Sequence, residues 1–558
     1  MNGGPGGTGG TSRRSVLAGS LAALAQLGCA PDGARAASYS GGWLGASHER
    51  GHRLRGAVPA ARASAAAAEP ASPRRVGALV VGAGVAGLAA ARALRAAGID
   101  DSHVLELEDH AGGNSRGHTM AGMRCPLGAH YLPVPGPHDA EVAALLDELG
   151  VRRVVGGRAV YDERVLCHSP QERLFIGGGW RDGLLPPIEA LPEGERAAAM
   201  ADYRAFAATI AGLPDGAFTV PTARSRWSDA LSALDRITFA AWLDGQKLRA
   251  PALRWYLDYC CRDDYGAGAE QVSAWAGLHY FASRHGFHAP GTGGDGGDDG
   301  SDILTWPEGN AWLAERLAAP LGDRLHAGRV VRAIEAGRHE VVVDAWNVAT
   351  HRLERWIAPQ VVLATPLFVA ARLLAAPPAA LLVAAAAMRY APWLVANLQL
   401  DAALDDRPGA PPSWDNVVYG GAGLGYVDAM HQSMRPLAGP TVLSAYWSLG
   451  GSTPHALAGQ RQRLLDDDWR TWAAHVLGEL AAPHPDLAAK VRRVDLMRYG
   501  HAMSVPTPGL RGSAALAALA EPQRRIQFAH ADLSGYSVFE EALYQGARAG
   551  RFAAAKRA

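Results

Sequence analysis

Val76-Gly77-Ala78-Leu79-Val80-Val81-Gly82-Ala83-Gly84-Val85-Ala86-Gly87 decides the fold. Residues 76–81 are an apolar run suited to a strand buried on both faces of a parallel sheet. Three glycines follow at GxGxxG spacing, then a helical stretch from Leu88 to Ala97 that Gly98 closes. His103-Val104-Leu105-Glu106 reads as a second strand with an acid at its C-terminal end, 24 residues after Gly82 (106 − 82). Gly82 permits the tight turn, Gly84 lets a pyrophosphate approach the backbone, and Gly87 lets helix and strand pack closely. The helix N-terminus offers free N–H groups and the positive end of its dipole to phosphates. Glu106 is placed to accept hydrogen bonds from a ribose. Strand, glycine turn, helix, strand and acid in this order predict a dinucleotide-binding βαβ unit, without choosing between dinucleotides.

The residues that follow narrow the choice. Gly112-Gly113 stands six positions past Glu106, then Asn114-Ser115-Arg116, and later Pro126-Leu127-Gly128-Ala129-His130-Tyr131. In this pattern the sequence resembles the flavin-containing amine oxidase superfamily. The resemblance continues through Trp306-Pro307-Glu308-Gly309-Asn310, Arg329-Val330-Val331-Arg332, Val361 to Pro366, and Ile526 to Asp532 followed by Gly535-Tyr536-Ser537 and a helix. It implies FAD as cofactor. Gly82, Gly84, Gly87, Glu106, Gly112, Gly113, Arg116, Gly128 and Ala129 would line it. The Val331 backbone would meet the adenine and Asp532 the ribityl chain. The last helix, beginning near Phe539, would face the flavin pyrimidine. Arg116 lies two places later than in monoamine oxidases. The implied fold class is α/β: a Rossmann-like FAD-binding domain of interleaved segments (73–150, 301–370 and 496–556) plus an α+β substrate domain (151–300 and 371–495).

Two departures from the family shape the expected chemistry. Where a lysine often stands, Ala396 or Asn397 occurs. Where monoamine oxidases carry the flavin-bonding cysteine and a cage tyrosine, Ala502 and Met503 occur, so FAD is expected to be non-covalent. His501, Tyr499 and Tyr536 are the candidate catalytic residues, His501 because its ordinary pKa near 6.5 suits proton transfer. The resemblance implies hydride transfer from a small-molecule substrate C–H, next to an amine, to flavin N5. Loss of the lysine leaves open a desaturase or isomerase of an apolar substrate. The altered positions also leave open a non-catalytic FAD-binding envelope protein.

The N-terminus reads as an address. Ser12-Arg13-Arg14-Ser15-Val16-Leu17 and the apolar run to Gly28 resemble a twin-arginine export signal over 1–37, too short to span a bilayer. The twin-arginine translocase is thus an expected partner, and the expected location is periplasmic or extracellular. A lipid anchor at Cys29 and plain cleavage near Ala34–Ala37 are both open. Residues 38–72, rich in Ala, Gly, Ser, Arg and Pro, read as a disordered linker.

Composition removes other classes. Lys+Arg and Asp+Glu are equal at 54 each, which argues against a nucleic-acid binder. The five cysteines form no CxxC pair, so no zinc site or disulfide framework is expected, and no metal. The apolar run Phe368 to Met388 is broken by Arg372 and Pro377-Pro378, so no membrane helix is expected in the mature chain. Aromatics over 234–288 read mainly as core packing, Arg262-Asp263-Asp264 as a salt-bridged corner, and the Gly/Asp stretch 291–302 as a mobile loop rather than a calcium site.

Overall fold

The computed structural model describes Met1 and residues 39–53, 72–290, 303–435 and 437–556; Arg13-Arg14, Cys29 and the stretch 291–302 lie outside them. The glycine-turn unit forms as its residues predict. Ala78–Val81 is buried throughout and sits at the centre of a parallel five-stranded sheet, flanked by Ser102–Leu105 on one side and Val361–Leu363 on the other. Leu325–His326 and Ile526–Phe528 form the edges. Strands from three distant parts of the chain thus share one sheet.

The alternation of side chains explains the layers. Ala78 and Val80 face a core with Leu88 and Leu543, from the helices Val85–Ala96 and Phe539–Ala555. Leu79 and Val81 face the opposite core with Val331 and Val343, from an antiparallel ribbon of Arg329–Ala336, Val341–Asn347 and Arg352–Ala358. The two helices touch backbone to backbone: a Cβ at Gly546 would lie 2.0 Å from the Ala86 carbonyl oxygen, and one at Gly550 2.5 Å from that of Ala90.

A second sheet of eight strands carries the substrate side. Its order is Ser40–Leu44, Val491–Ser504, Tyr390–Leu400, Thr441–Ser448, Tyr426–Asp428, Asp415–Val418, Glu172–Ile176 and Gly179–Asp182. Val491–Ser504 crosses the expected boundary at 496, and pairs with Tyr390–Leu400 as far as Ser504. Domain boundaries placed by motif cannot see a strand that long. The helices Pro251–Tyr265 and Ala274–Tyr280 pack beside this sheet around Tyr203, Phe206, Phe239, Trp275 and Phe281. Among the described residues no helix is long and apolar enough to cross a membrane.

Residues 39–53, expected to belong to a linker, are instead a strap. Ser40–Leu44 pairs in parallel with Val491–Ser504, and His48–His52 forms a short helix. The glycines that suggested flexibility serve close approach: a Cβ at Gly41 would lie 1.8 Å from the Val494 carbonyl oxygen.

Candidate active site

Three connected cavities run from the parallel sheet into the substrate side. The first, about 370 Å³, follows the C-terminal ends of the parallel strands, where ligands bind in such sheets. Its walls include Gly82, Gly84, Glu106, Gly112, Gly113 and Val331. Gly82 has φ +100°, and a Cβ there would lie 2.5 Å from the Ala364 carbonyl oxygen. A Cβ at Gly87 would lie 1.8 Å from the Gly82 carbonyl oxygen, so helix and turn can be this close only with glycine. The helix Val85–Ala96 starts at the cavity wall with no side chain capping it, which leaves its N-terminal N–H groups for a ligand.

Glu106 is buried at this floor. Its Oε2 accepts from the Ala83 N–H at 2.6 Å and its Oε1 from the Glu108 N–H at 2.9 Å. Burial raises its pKa, against the two backbone donors and the nearby Arg116. Each oxygen keeps a lone pair free, as a ribose acceptor needs. The Thr365 hydroxyl at the same wall is buried without a partner. Glycine cradle, uncapped helix, acid and orphaned hydroxyl together fit a dinucleotide.

A second cavity, about 140 Å³, continues the first; the two share Asn114, Ala129, Ala502, Ser537, Val538 and Phe539. The uncapped N-terminus of Phe539–Ala555 opens at this junction. Gly128, Tyr499, Trp393 and Met503 complete the walls. Trp393 is aimed inward by a bulge between Ala391 and Trp393, where Pro392 has no N–H for the ladder. The Tyr499 hydroxyl donates to the Leu127 carbonyl at 2.8 Å.

His130, Tyr131, Asp263 and Tyr446 form the throat to a third chamber of about 190 Å³. The His130 ring stacks on Tyr446 with centroids 4.3 Å apart. Burial lowers the His130 pKa to about 4, against a bond with the Gly128 backbone, so the ring is neutral at pH 7. Beyond the throat stand Glu172, Asp415, Tyr256, Tyr259, Tyr280 and Trp414. Burial first, then neighbouring acids, pushes Glu172 and Asp263 each up to about 7 and Asp415 well above its ordinary range.

Most expected cofactor residues converge on the first two cavities; three do not reach them, and the candidate catalytic residues scatter. Gly87 acts behind the wall, through packing. Arg116 lies off the wall: its Nε donates to the Gly113 carbonyl and its Nη1 to the Gly45 carbonyl of the strap. Asp532 lies behind His530 and Ala531, fully buried. Its Oδ2 accepts from the Leu367 N–H at 2.9 Å and the Tyr390 hydroxyl at 2.5 Å. Burial alone would raise its pKa, but His530 and these donors hold it low.

Among the catalytic candidates, only Tyr499 lines the second cavity. His501 lines the first, against the Phe368 ring at 4.7 Å. Tyr536 lines none of these three cavities; it is fully buried, donates to Glu541 and packs on Tyr265 and His279. Asn397 also faces away, donating to the Pro126 carbonyl and accepting from the Ser444 hydroxyl. The missed residues are His130, Trp393, Tyr446, Glu172, Asp263 and Asp415. Of the two aspartates in the 262–264 triplet, Asp264 and not Asp263 is salt-bridged, to Arg284, while Arg262 pairs with Asp258. A helical face of Tyr256, Tyr259 and Asp263 at i, i+3 and i+7 was the available signal.

Residues 85–551 match the family of flavin containing amine oxidoreductases. The chain belongs to that family. It is therefore an FAD-dependent oxidoreductase. A putrescine oxidase of Kocuria rosea is 42% identical over 86 residues, 15% of this chain and 17% of that enzyme's length. In three dimensions the chain is similar to putrescine oxidase bound to putrescine (19% identity, TM-score 0.59, covering 86% of this chain and 98% of that one). It is also similar to cyclohexylamine oxidase from Brevibacterium oxydans (18%, TM-score 0.61, covering 86% and 99%). A fatty acid isomerase from P. acnes shares the fold as well (15%, TM-score 0.56, covering 85% and 97%).

Proposed function

We propose that this member of the family is an exported amine oxidase that takes a hydride from the carbon next to a substrate nitrogen. FAD, when bound, supplies the two-electron acceptor at its N5. The observation that carries the reading is the second cavity: it continues the dinucleotide cleft and is walled by Trp393, Tyr446, Tyr499 and the neutral His130, with Asp263, Asp264, Arg284 and Glu540 beside them. The rings shield the reacting carbon from bulk water, and the nitrogen gives up its proton before its lone pair assists C–H cleavage. The helix N-terminus at Phe539 favours negative charge gathering beside it. Glu106, the turn at Gly84 and the helix Val85–Ala96 would hold the ribose and pyrophosphate. The product imine hydrolyses after leaving.

The carboxyl-lined third chamber weighs against an apolar chain as substrate, despite the absent lysine. Non-covalent FAD is supported by the walls of the first two cavities, where Ala502 and Met503 stand and, among the described residues, no cysteine does. Acid precipitation should therefore release all flavin into the supernatant. Anaerobic addition of aliphatic amines should bleach the absorbance near 450 nm; bleaching by apolar alkenes and not by amines would replace this reading with the isomerase one. Export by the twin-arginine route is tested by changing Arg13 and Arg14 to Lys, which should strand the flavoprotein in the cytoplasm.

A further inference from the structure

We propose that Asp263 accepts the proton the substrate ammonium must lose before oxidation, and passes it to the Glu172–Asp415 pair in the third chamber. This rests on the amine-oxidising reading above and adds the path of the proton to it.

An amine can be oxidised only after its ammonium has given up a proton, because the lone pair must be free to form the C=N bond. The second cavity offers few groups that could take that proton. Asp264 and Glu540 are both tied to Arg284, which faces them from Phe281–His285. His130 is bonded to the Gly128 backbone and, with its pKa lowered to about 4, is a poor acceptor. Burial pushes the phenols of Tyr131, Tyr446 and Tyr499 up, so none is available as an anion. Asp263 makes no ion pair among the described residues, since its neighbour Arg262 pairs with Asp258. It is also the one carboxyl among the described residues that lines both the second cavity and the third chamber.

The chamber beyond suits a proton in transit. Glu172 and Asp415 begin the strands Glu172–Ile176 and Asp415–Val418, and the parallel register sets them side by side. Among the described residues no Lys or Arg lines this chamber. Two adjacent carboxyls without a counter-ion do not both stay ionised, so the pair holds a proton between its members. The Tyr446 hydroxyl, buried and without a partner, walls both spaces and offers a donor and acceptor on the way. Tyr259, Cys260 and Tyr280 also face Asp263, and burial keeps each of them neutral. Burial first, then Asp264, holds Asp263 itself up to about 7, against the pull of Arg284 and Arg262. An alkylammonium ordinarily lies near 10.4, so this closes about half of the gap from an ordinary aspartate at 3.8. The step balances. The N–H bond breaks with its electron pair left on nitrogen, and an O–H bond forms on Asp263. The C–H bond then breaks with its pair leaving as hydride to the flavin, while the nitrogen lone pair closes the C=N bond.

The test is anaerobic flavin reduction by rapid mixing, from pH 6 to pH 10, at saturating concentration of the fastest in a set of primary aliphatic amines. The parental rate constant should rise with pH through about 7. Asp263→Asn should lower it about a hundredfold at pH 7. That gap should close to within about threefold at pH 10, where much of the amine arrives already neutral. The double variant Glu172→Gln, Asp415→Asn should lose about tenfold at pH 7 and recover in the same way. Flavin absorbance and thermal midpoint, recorded on each variant, separate this from misfolding, and Asp263→Glu should restore most of the rate. A parental rate that is flat between pH 6 and pH 8 would overturn the inference and leave the amine reading intact. So would an Asp263→Asn defect confined to KM, or one as large at pH 10 as at pH 7, or a double variant as fast as the parent at pH 7. Failure of every amine to reduce the bound flavin would overturn the amine reading, and the inference with it.

Discussion

Gly87 lines none of the three cavities, yet its lack of a side chain fixes where the helix Val85–Ala96 begins against the turn. Gly87→Ala would place a methyl carbon 1.8 Å from the Gly82 carbonyl oxygen. The expected cost is about 1–3 kcal/mol of stability with loss of bound flavin, since the turn must shift to accommodate the carbon. Absorbance of the purified variant and its denaturation midpoint check this; a fully yellow Gly87→Ala of parental stability would refute it. At Tyr446 the expectation is different. Tyr446→Phe removes a buried hydroxyl that has no partner, so the variant should be no less stable than the parent, as its denaturation midpoint would show. Such residues divide by legibility. The glycines and Glu106 were readable because local chain order alone sets their geometry. Asp263 and Asp264 are adjacent in sequence and indistinguishable by composition. Only the helix phase, which points one into the throat and the other at Arg284, separates them.

At the scale of elements, the strap 39–53 braces the cofactor cleft from outside. The Ser47 N–H donates to both Glu108 carboxylate oxygens, at 3.0 and 3.1 Å, and Arg50 donates to the Leu107 carbonyl, just past Glu106. Arg116 joins the strap at Gly45 to the Gly113 turn. The strap also edges the strand Val491–Ser504, which delivers Tyr499, His501, Ala502 and Met503 to the cavities. A chain lacking residues 1–38 should keep its flavin. One lacking 1–53 should bind FAD about tenfold more weakly, roughly 1.4 kcal/mol, and melt lower. Flavin titration of the two truncations decides it, and equal affinity would show the strap to be dispensable. The strap escaped the sequence reading because its partners lie far along the chain, and a Gly-Gly pair reads alike in a tether and in a strand pressed against its neighbour.

Over the whole molecule, buried acids and buried histidines pull stability in opposite directions as pH changes. Glu172 has a folded pKa of about 7 against an ordinary 4.5, so the stability its neutral form contributes is full below 4.5 and is lost as pH rises to about 7. His130 and His484 have folded values of about 4 against 6.5; the stability from keeping them neutral is full above 6.5 and is lost as pH falls towards 4. Glu172→Gln should therefore match the parent near pH 4 and exceed it by up to about 3 kcal/mol at pH 8, in the absence of substrate. Urea denaturation at the two pH values reads this directly, and a Gln variant less stable at pH 8 would contradict it. Sequence by itself determined the glycine turn, the parallel sheet around it, the flavin family and the remodelled positions Ala502 and Met503. Each rests on short-range order: strand, turn, helix and acid within one stretch of chain, recurring in a fixed sequence of motifs. The tertiary structure alone decided that Asp532 is sheathed by Leu367 and Tyr390, that Tyr536 is core, and that Glu172, Asp263 and Asp415 share one chamber. Those outcomes depend on strand register and helix phase between segments hundreds of residues apart, which no local pattern encodes.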